Sequence, residues 1–252
     1  YAKGYSKLKK HLLEKNINWA SNISGVSNEN IVTLSNLLSK TKKVFFRLGY
    51  GFTRQRNGSF NMHAVICIPT LLGAWKELGG GAFYNNGGIY NINKNLIEGL
   101  NFKNENIRML DQSRIGPILN GNKSALKNGV AVKALFIQNT NPLVVAPETV
   151  LVRKGFQRKD LFVCVHEQFL TETAKYADIV LPATSFVEHN DIYIAGGHQH
   201  LNFGPKIIKE LGECWSNNRL INELSKKMGT VKKEFSFSEE EFIDNTLKLS
   251  NL

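Results

Sequence analysis

The chain of 252 residues is long enough for a sizeable buried core, and its 42% hydrophobic and 21% charged residues exclude a disordered or collagen-like protein. Lys and Arg total 32 against 21 Asp and Glu, but the net charge of +11 is spread along the chain, so we expect no nucleic-acid binding. The three cysteines, 97 and 50 residues apart, exclude a disulfide framework, a zinc-finger pair and a self-contained iron–sulfur motif.

The first third of the chain is predicted to be mainly helical. A helical pattern covers residues 3–15, and Ser27 is predicted to cap a helix that runs through Lys40. The apolar run Val44–Leu48 predicts a buried strand that leads into a loop containing glycines. From Ser59 to about Leu78 the pattern is helical again.

Residues 82–130 differ from the rest because glycine, asparagine and scattered apolar residues dominate them. We expect a long, irregular but locally folded insertion outside the sheet core. A loop of this length without structure would be unusual in a compact domain, so the insertion is expected to have a function or to wrap a neighbour.

The second half predicts an α/β fold built on a mostly parallel sheet. Val132–Ile137, Leu161–Val165 and Ile179–Leu181 have the apolar content of buried strands, and short helices are predicted near Glu148–Phe156 and Thr171–Tyr176. Sheets of this kind carry helices on both faces and bind ligands outside the carboxyl ends of their strands.

The chain ends with an amphipathic helix and a charged tail. The helix is predicted from about Asn217 to Met228. Residues 230–252 are predicted to be a charged C-terminal tail, a linker or a helix, with a helix from Ser238 to Leu247.

Polar segments lie where three predicted strands end, namely Gly49–Gly58, Asn139–Pro142 and His166–Phe169. They predict one wall of a binding crevice. Two of them also have a plainer interpretation: Gly49–Gly58 would suit a strand–helix turn, and Asn141-Pro142 is an ordinary turn signal. His198 and His200 are spaced like a metal pair, but no third ligand is evident and we expect solvated loop residues.

Three ordered stretches resemble the molybdopterin oxidoreductase superfamily, whose members hold a molybdenum or tungsten bis(molybdopterin guanine dinucleotide). The resemblance covers roughly residues 1–229 and implies a Rossmann-like, doubly wound domain. The stretches are Gly49–Gly51 with Arg54, Asn57 and Gly58; Asn139–Pro142; and Val165–Ala174 followed by Ala177–Thr184 and Glu188.

The resemblance implies a set of cofactor-binding residues and no catalytic residue or metal ligand within the chain. The implied residues are Gly49, Tyr50, Gly51, Arg54, Asn57, Gly58, Asn139, Asn141, Pro142, His166, Glu167, His189 and Asn217.

These residue types suit a long anionic cofactor. The three glycines would allow positive φ and a close approach of backbone N–H groups to phosphate. Arg54 offers a planar fork to phosphate or a pterin carbonyl. Guanine presents adjacent N1–H and N2–H donors, and the Glu167 carboxylate can accept both. One departure concerns Ser216-Asn217-Asn218, which lacks the aspartate common in relatives and puts one guanine contact in doubt.

The implied function is the cofactor-binding part of a molybdopterin-dependent oxidoreductase that carries out two-electron redox or oxygen-atom transfer at molybdenum or tungsten. The chain resembles a fragment: other domains of the enzyme, or a separate partner chain, would supply the metal ligand, and an iron–sulfur cluster would belong only to a missing N-terminal part. We therefore expect the isolated chain to be inactive.

Two alternatives stay open. One is a vestigial or scaffolding domain without metal or catalysis, like the large peripheral subunit of respiratory complex I. The other is a generic nucleotide-binding domain, although Arg54 replaces the third glycine of a Gly-x-Gly-x-x-Gly run. The longest apolar run, Val65–Trp75, is too short to span a membrane, and residues 1–10 lack the apolar core of a secretory leader, so a cytoplasmic protein is expected.

Overall fold

The computed structural model describes residues 3–230 and 232–252 and confirms an α/β fold with parallel sheets. The chain divides into two compact units, residues 1–86 and residues 87–252, which are described separately. Over the described ranges, no helix has both the length and the apolar character needed to cross a membrane.

The first unit is mostly helical and contains a short parallel sheet in which β1 pairs with β2. Two helix starts are set by side-chain caps: Asn16 Oδ1 accepts from Trp19 N, and Ser27 Oγ accepts from Asn30 N, as predicted for Ser27. The elements are α1 (Tyr5–Leu12), α2 (Ile17–Ser24), α3 (Asn28–Lys40), β1 (Phe45–Arg47), α4 (Gly58–Leu72) and β2 (Gly81–Phe83).

The strand predicted at Val44–Leu48 is present as β1, but of this apolar run only Leu48 is buried. Phe45 is 53% exposed, and α1, α2 and α3 contain no buried residue. An apolar run indicates the conformation of a strand, but burial also requires covering layers. With only two strands, β1 has one hydrogen-bonded neighbour, β2.

The second unit is organised around a parallel sheet of order β3-β4-β5. Its register places Ile137 opposite Val165 and Val165 opposite Val180, and Ala183 forms a parallel bridge with Trp215 beyond the end of β5. The elements are α5 (Asn95–Glu98), α6 (Ile115–Leu119), β3 (Ala134–Gln138), α7 (Pro142–Val145), α8 (Thr149–Phe156), β4 (Phe162–Glu167), β5 (Ile179–Pro182), β6 (Asp191–Tyr193), β7 (Asn202–Gly204), α9 (Asn217–Lys227) and α10 (Glu239–Leu249).

The main core of the second unit lies between the sheet and its helices. Two glycines allow α6 and α8 to pack closely, because a Cβ on Gly155 would lie 2.5 Å from Leu119 Cβ, and one on Gly116 would lie 3.0 Å from Leu151 Cβ. The core residues are Leu119, Ile137, Leu143, Val152, Phe156, Leu161, Val163, Val165 and Ala174.

This core corrects one expectation about residues 82–130. The segment is irregular over much of its length, but α6 lies within it and Leu119, only 1% exposed, belongs to the sheet core. A helix of five residues is too short for its periodicity to stand out in the sequence.

The C-terminal segment carries the predicted helix as α10, and it is docked on the second unit. Ser238 and Glu241 form a capping box at the start of α10. At the other end, Asn93 N donates to Ser250 Oγ at 2.8 Å, and Thr246 is 1% exposed. The segment is therefore a packed part of this unit rather than an open linker.

Two valines on α8 provide a matched test of this core. Val152 is 0% exposed and Val150 is 83% exposed. We expect Val152→Ala to lower the free energy of unfolding by about 2 kcal/mol, through lost burial and a cavity. Val150→Ala should change it by less than about 0.5 kcal/mol. Urea denaturation of both variants checks this, and equal losses would contradict the assigned core.

Candidate functional site

The carboxyl ends of β3 and β4 meet the start of α9 in a network of hydrogen bonds centred on Gln138. Gln138 and His166 are paired residues in the sheet register. Gln138 Nε2 lies 3.1 Å from His166 Nδ1 and donates to Asn217 Oδ1 at 2.9 Å. His166 Nε2 lies 3.1 Å from the carbonyl oxygen of Trp215. The network brings together His166 and Asn217, two of the residues predicted from the sequence.

The partners of His166 assign its tautomer. Because the Trp215 carbonyl can only accept, the proton lies on Nε2, and Nδ1 of the neutral ring accepts from Gln138. Burial lowers the pKa of His166, against the opposing effect of the hydrogen bond to Trp215, and the side chain is 0% exposed. Gln138 Nε2 therefore donates one hydrogen to Nδ1 of the neutral His166 ring and the other to Asn217 Oδ1.

A second group of contacts positions His189 beyond the end of β5. Thr184 Oγ1 lies 2.9 Å from His189 Nδ1, and Gln168 Nε2 donates to the Thr184 carbonyl at 2.8 Å. The Glu188 carboxylate, 5% exposed, accepts from Ser185 N and Leu211 N at 2.7 Å each. These backbone hydrogen bonds lower the pKa of Glu188, so its charge fixes the loop that carries His189.

A cavity of about 520 Å³ opens beside these residues, at the carboxyl edge of the sheet. Gln138 and Asn139 line it from the end of β3, and His189 and Asn217 line it from the loop and from α9. Asn139 has φ +57°, a left-handed conformation that asparagine tolerates better than most residues. Three of the predicted residues (Asn139, His189 and Asn217) thus share one cavity, although they lie far apart in the sequence.

Four other predicted residues of this unit lie outside the cavity lining. Asn141 Oδ1 accepts from Thr173 N and Thr173 Oγ1 at 3.2 and 2.7 Å, which joins the start of α7 to the loop after β4. Pro142 is buried in the first turn of α7. Glu167 Oε1 accepts from Gln168 N at 2.7 Å. His166, the fourth, acts on the lining through Gln138.

The other predicted residues lie in the first unit, in the loop after β1. Tyr50–Phe52 form a 3-10 turn, and Thr53 N and Arg54 N both donate to the Tyr50 carbonyl, at 3.1 and 3.2 Å. The Arg54 side chain is exposed, with its guanidinium 6.0 Å from the centre of the Tyr50 ring. Asn57 is exposed at the start of α4, and its side chain makes no capping hydrogen bond.

Glycine would allow positive φ at Gly49, Gly51 and Gly58, but none of the three has it. Gly58 is required for a different reason: a Cβ there would lie 2.4 Å from the Phe52 carbonyl oxygen. A Cβ on Gly49 or Gly51 would meet nothing within 4 Å in the described chain. Backbone at these two positions is therefore open to a close approach from outside.

Potential metal ligands are dispersed. Among residues 3–230 and 232–252, no three His, Cys, Asp or Glu side chains cluster in a way that could hold a metal ion. The rings of His198 and His200 are 5.6 Å apart, and Cys67, Cys164 and Cys214 are free thiols.

Sequence reasoning missed Gln138 and the C-terminal segment. Gln138 ends β3 directly before Asn139, so its place at a strand end was a usable signal. The cavity wall at residues 234–243 had no comparable signal, because it depends on how a distant helix docks.

Comparison with known proteins gave consistent matches. A family model described as molybdopterin oxidoreductase matches residues 11–227. A probable oxidoreductase of Bacillus subtilis, YoaE, is 37% identical over 98% of this chain and 36% of its own length. Trimethylamine-N-oxide reductase of Haemophilus influenzae is 28% identical over 91% of this chain and 31% of its own length.

Among solved structures, acetylene hydratase from Pelobacter acetylenicus matches with a TM-score of 0.71 and 17% identity, over 99% of this chain and 39% of that one. This likeness supports the fold. The chain spans about a third of the length of the curated relatives it matches.

The lowered pKa of His166 gives a prediction for stability against pH. In the unfolded chain the His166 ring takes up a proton at the ordinary histidine pKa of about 6.5. In the folded chain the same ring takes it up only at lower pH, because burial lowers its pKa. Stability should therefore fall as the pH decreases from 7 to 5.5. In His166→Gln this fall should be smaller than in the original chain. Urea denaturation at the two pH values checks this, and the same slope in both proteins would contradict it.

Proposed function

Because the chain belongs to the molybdopterin oxidoreductase family, we propose that it binds a molybdopterin guanine dinucleotide as part of a larger oxidoreductase. The guanosine end of that cofactor occupies the cavity at the carboxyl edge of the sheet. The remaining parts of the enzyme come from a longer polypeptide or from a partner chain, in keeping with the third of the relatives' length that this chain spans.

The observation that carries the proposal is the cavity itself. The end of β3, the His189 loop and the start of α9 converge on a space of about 520 Å³, which is large enough for a nucleoside. Parallel α/β sheets bind nucleotides at this edge. The cavity therefore combines a suitable volume with a suitable place in the fold.

The chemistry of the lining fits a base and ribose rather than phosphate. Amide groups of Asn139 and Asn217 and the His189 ring offer both donors and acceptors. Among the described residues that line the cavity, none is Lys or Arg, whereas a phosphate site needs cations or free backbone N–H groups. We therefore assign the pyrophosphate of the cofactor to residues outside this cavity.

Within the first unit, the loop after β1 carries groups that suit an anion or a pterin. Gly49 and Gly51 leave their backbone open, and the exposed Arg54 guanidinium can donate two parallel hydrogen bonds to phosphate or to a pterin carbonyl. When bound, the cofactor supplies two-electron redox or oxygen-atom transfer at its metal. This chain's residues bind and orient the cofactor.

We expect Asn217→Ala to weaken the binding of GDP, used as a probe for the guanosine end, by about tenfold through loss of an amide that lines the cavity. Asn106→Ala, an exposed asparagine outside the lining, should bind GDP like the original chain. Isothermal titration calorimetry checks both. If the original chain binds no GDP, the proposal fails and the vestigial or scaffolding alternative gains support.

A second expectation concerns turnover. The purified 252-residue chain should not oxidise a reduced viologen dye with trimethylamine N-oxide or dimethyl sulfoxide as acceptor, because relatives that carry such names are about three times longer. A spectrophotometric assay under anaerobic conditions checks this. Dye oxidation above the protein-free rate would contradict it.

A further inference from the structure

Part of the cavity wall comes from outside the segment that the family model matches. That match ends at residue 227, whereas Glu234, Phe235, Glu239, Phe242 and Ile243 all line the cavity. We call residues 233–243 the C-terminal wall. It consists of a 3-10 turn, Lys233–Ser236, and the first part of α10.

Specific hydrogen bonds hold the C-terminal wall in place. The Phe237 carbonyl accepts from Asn218 Nδ2 and Asn222 Nδ2, each at 3.0 Å, and these two asparagines are one turn apart on α9. Asn190 N donates to Glu239 Oε2 at 3.1 Å, and Asn190 Nδ2 donates to Glu240 Oε1 at 2.6 Å. The wall is therefore tied to two other elements of the cavity.

The acidic residues that line the cavity are not equivalent. Glu98 is exposed, Asp191 Oδ1 accepts from Ile192 N, and Glu239 accepts from Asn190 N. Glu234 is half-buried, and no described residue donates a hydrogen bond to its carboxylate. A half-buried carboxylate in such a place favours a ligand that brings its own hydrogen-bond donors.

We propose that Glu234 accepts hydrogen bonds from the Watson–Crick edge of guanine, and that the C-terminal wall thereby selects guanine over other bases. The inference rests on the proposed function. Guanine presents N1–H and the N2 amino group side by side, which matches the two oxygens of a carboxylate. Hypoxanthine keeps N1–H but lacks the amino group, and adenine presents an unprotonated N1 that a carboxylate repels.

The test is calorimetric titration of the 252-residue chain with GDP, IDP and ADP. Because hydrogen bonds to charged groups are strong, GDP should bind about tenfold more tightly than IDP, and ADP should bind more weakly than IDP. In Glu234→Gln, which keeps the size of the side chain, the affinity for GDP should fall about tenfold and the preference for GDP over IDP should nearly disappear.

Asp244→Asn is the matched control. It removes one negative charge from the same C-terminal segment at an exposed position outside the lining, and it should keep the affinity and the preference of the original chain. Thermal unfolding followed by circular dichroism should show that both variants are folded.

The outcomes separate the two proposals. If the original chain binds GDP but Glu234→Gln keeps the preference for GDP over IDP, the role of Glu234 is wrong and the nucleotide site stands. Equal binding of all three nucleotides by the original chain also overturns selection by the wall. Absence of GDP binding by the original chain overturns the nucleotide site itself.

Discussion

The second unit depends on one buried, neutral imidazole. His166 lies at the end of the central strand of the parallel sheet, and its two ring nitrogens contact the Trp215 carbonyl on one side and Gln138 on the other. Protonation would add a hydrogen on Nδ1, facing the Gln138 amide, which already donates there. Burial opposes that proton, so the fold keeps the tautomer that directs Gln138 toward Asn217.

Loops that lie far apart in the sequence form one site because other buried side chains hold them at the same edge of the sheet as His166. The buried Glu188 carboxylate fixes the loop of His189 through backbone N–H groups, and Thr173 joins the start of α7 to the loop after β4. These side chains make their hydrogen bonds to other groups of the protein. They leave Asn139, His189 and Asn217 to face the cavity, which divides the polar residues of the edge into supporting and lining groups.

Much of this organisation could be predicted from the sequence, because strands of a parallel sheet are continuous apolar runs and their ends are marked by polar residues. β3, β4, β5, α8 and α9 follow that pattern closely, whereas α7, β6 and β7 were not predicted, and the helix predicted over Thr171–Tyr176 is a 3-10 turn at Ala174–Tyr176. Burial could not be predicted in the same way: Phe45 lies in an apolar run yet is half-exposed, since its strand has a single neighbour. The structural role of Gly49, Gly51 and Gly58 could not be predicted either, because glycine is found where backbone is exposed or closely packed as well as where φ is positive.

The contacts of Asn190 have a consequence for the order of folding. Its backbone N–H and its amide nitrogen bind Glu239 and Glu240, about fifty residues away, and its amide oxygen accepts from Lys206 N at 2.7 Å. Contacts over such separations form only after long loops have closed. The strands β3, β4 and β5 pair over shorter separations, so the sheet itself would form before the C-terminal wall, and the cavity would be complete only once α10 had left the ribosome and docked.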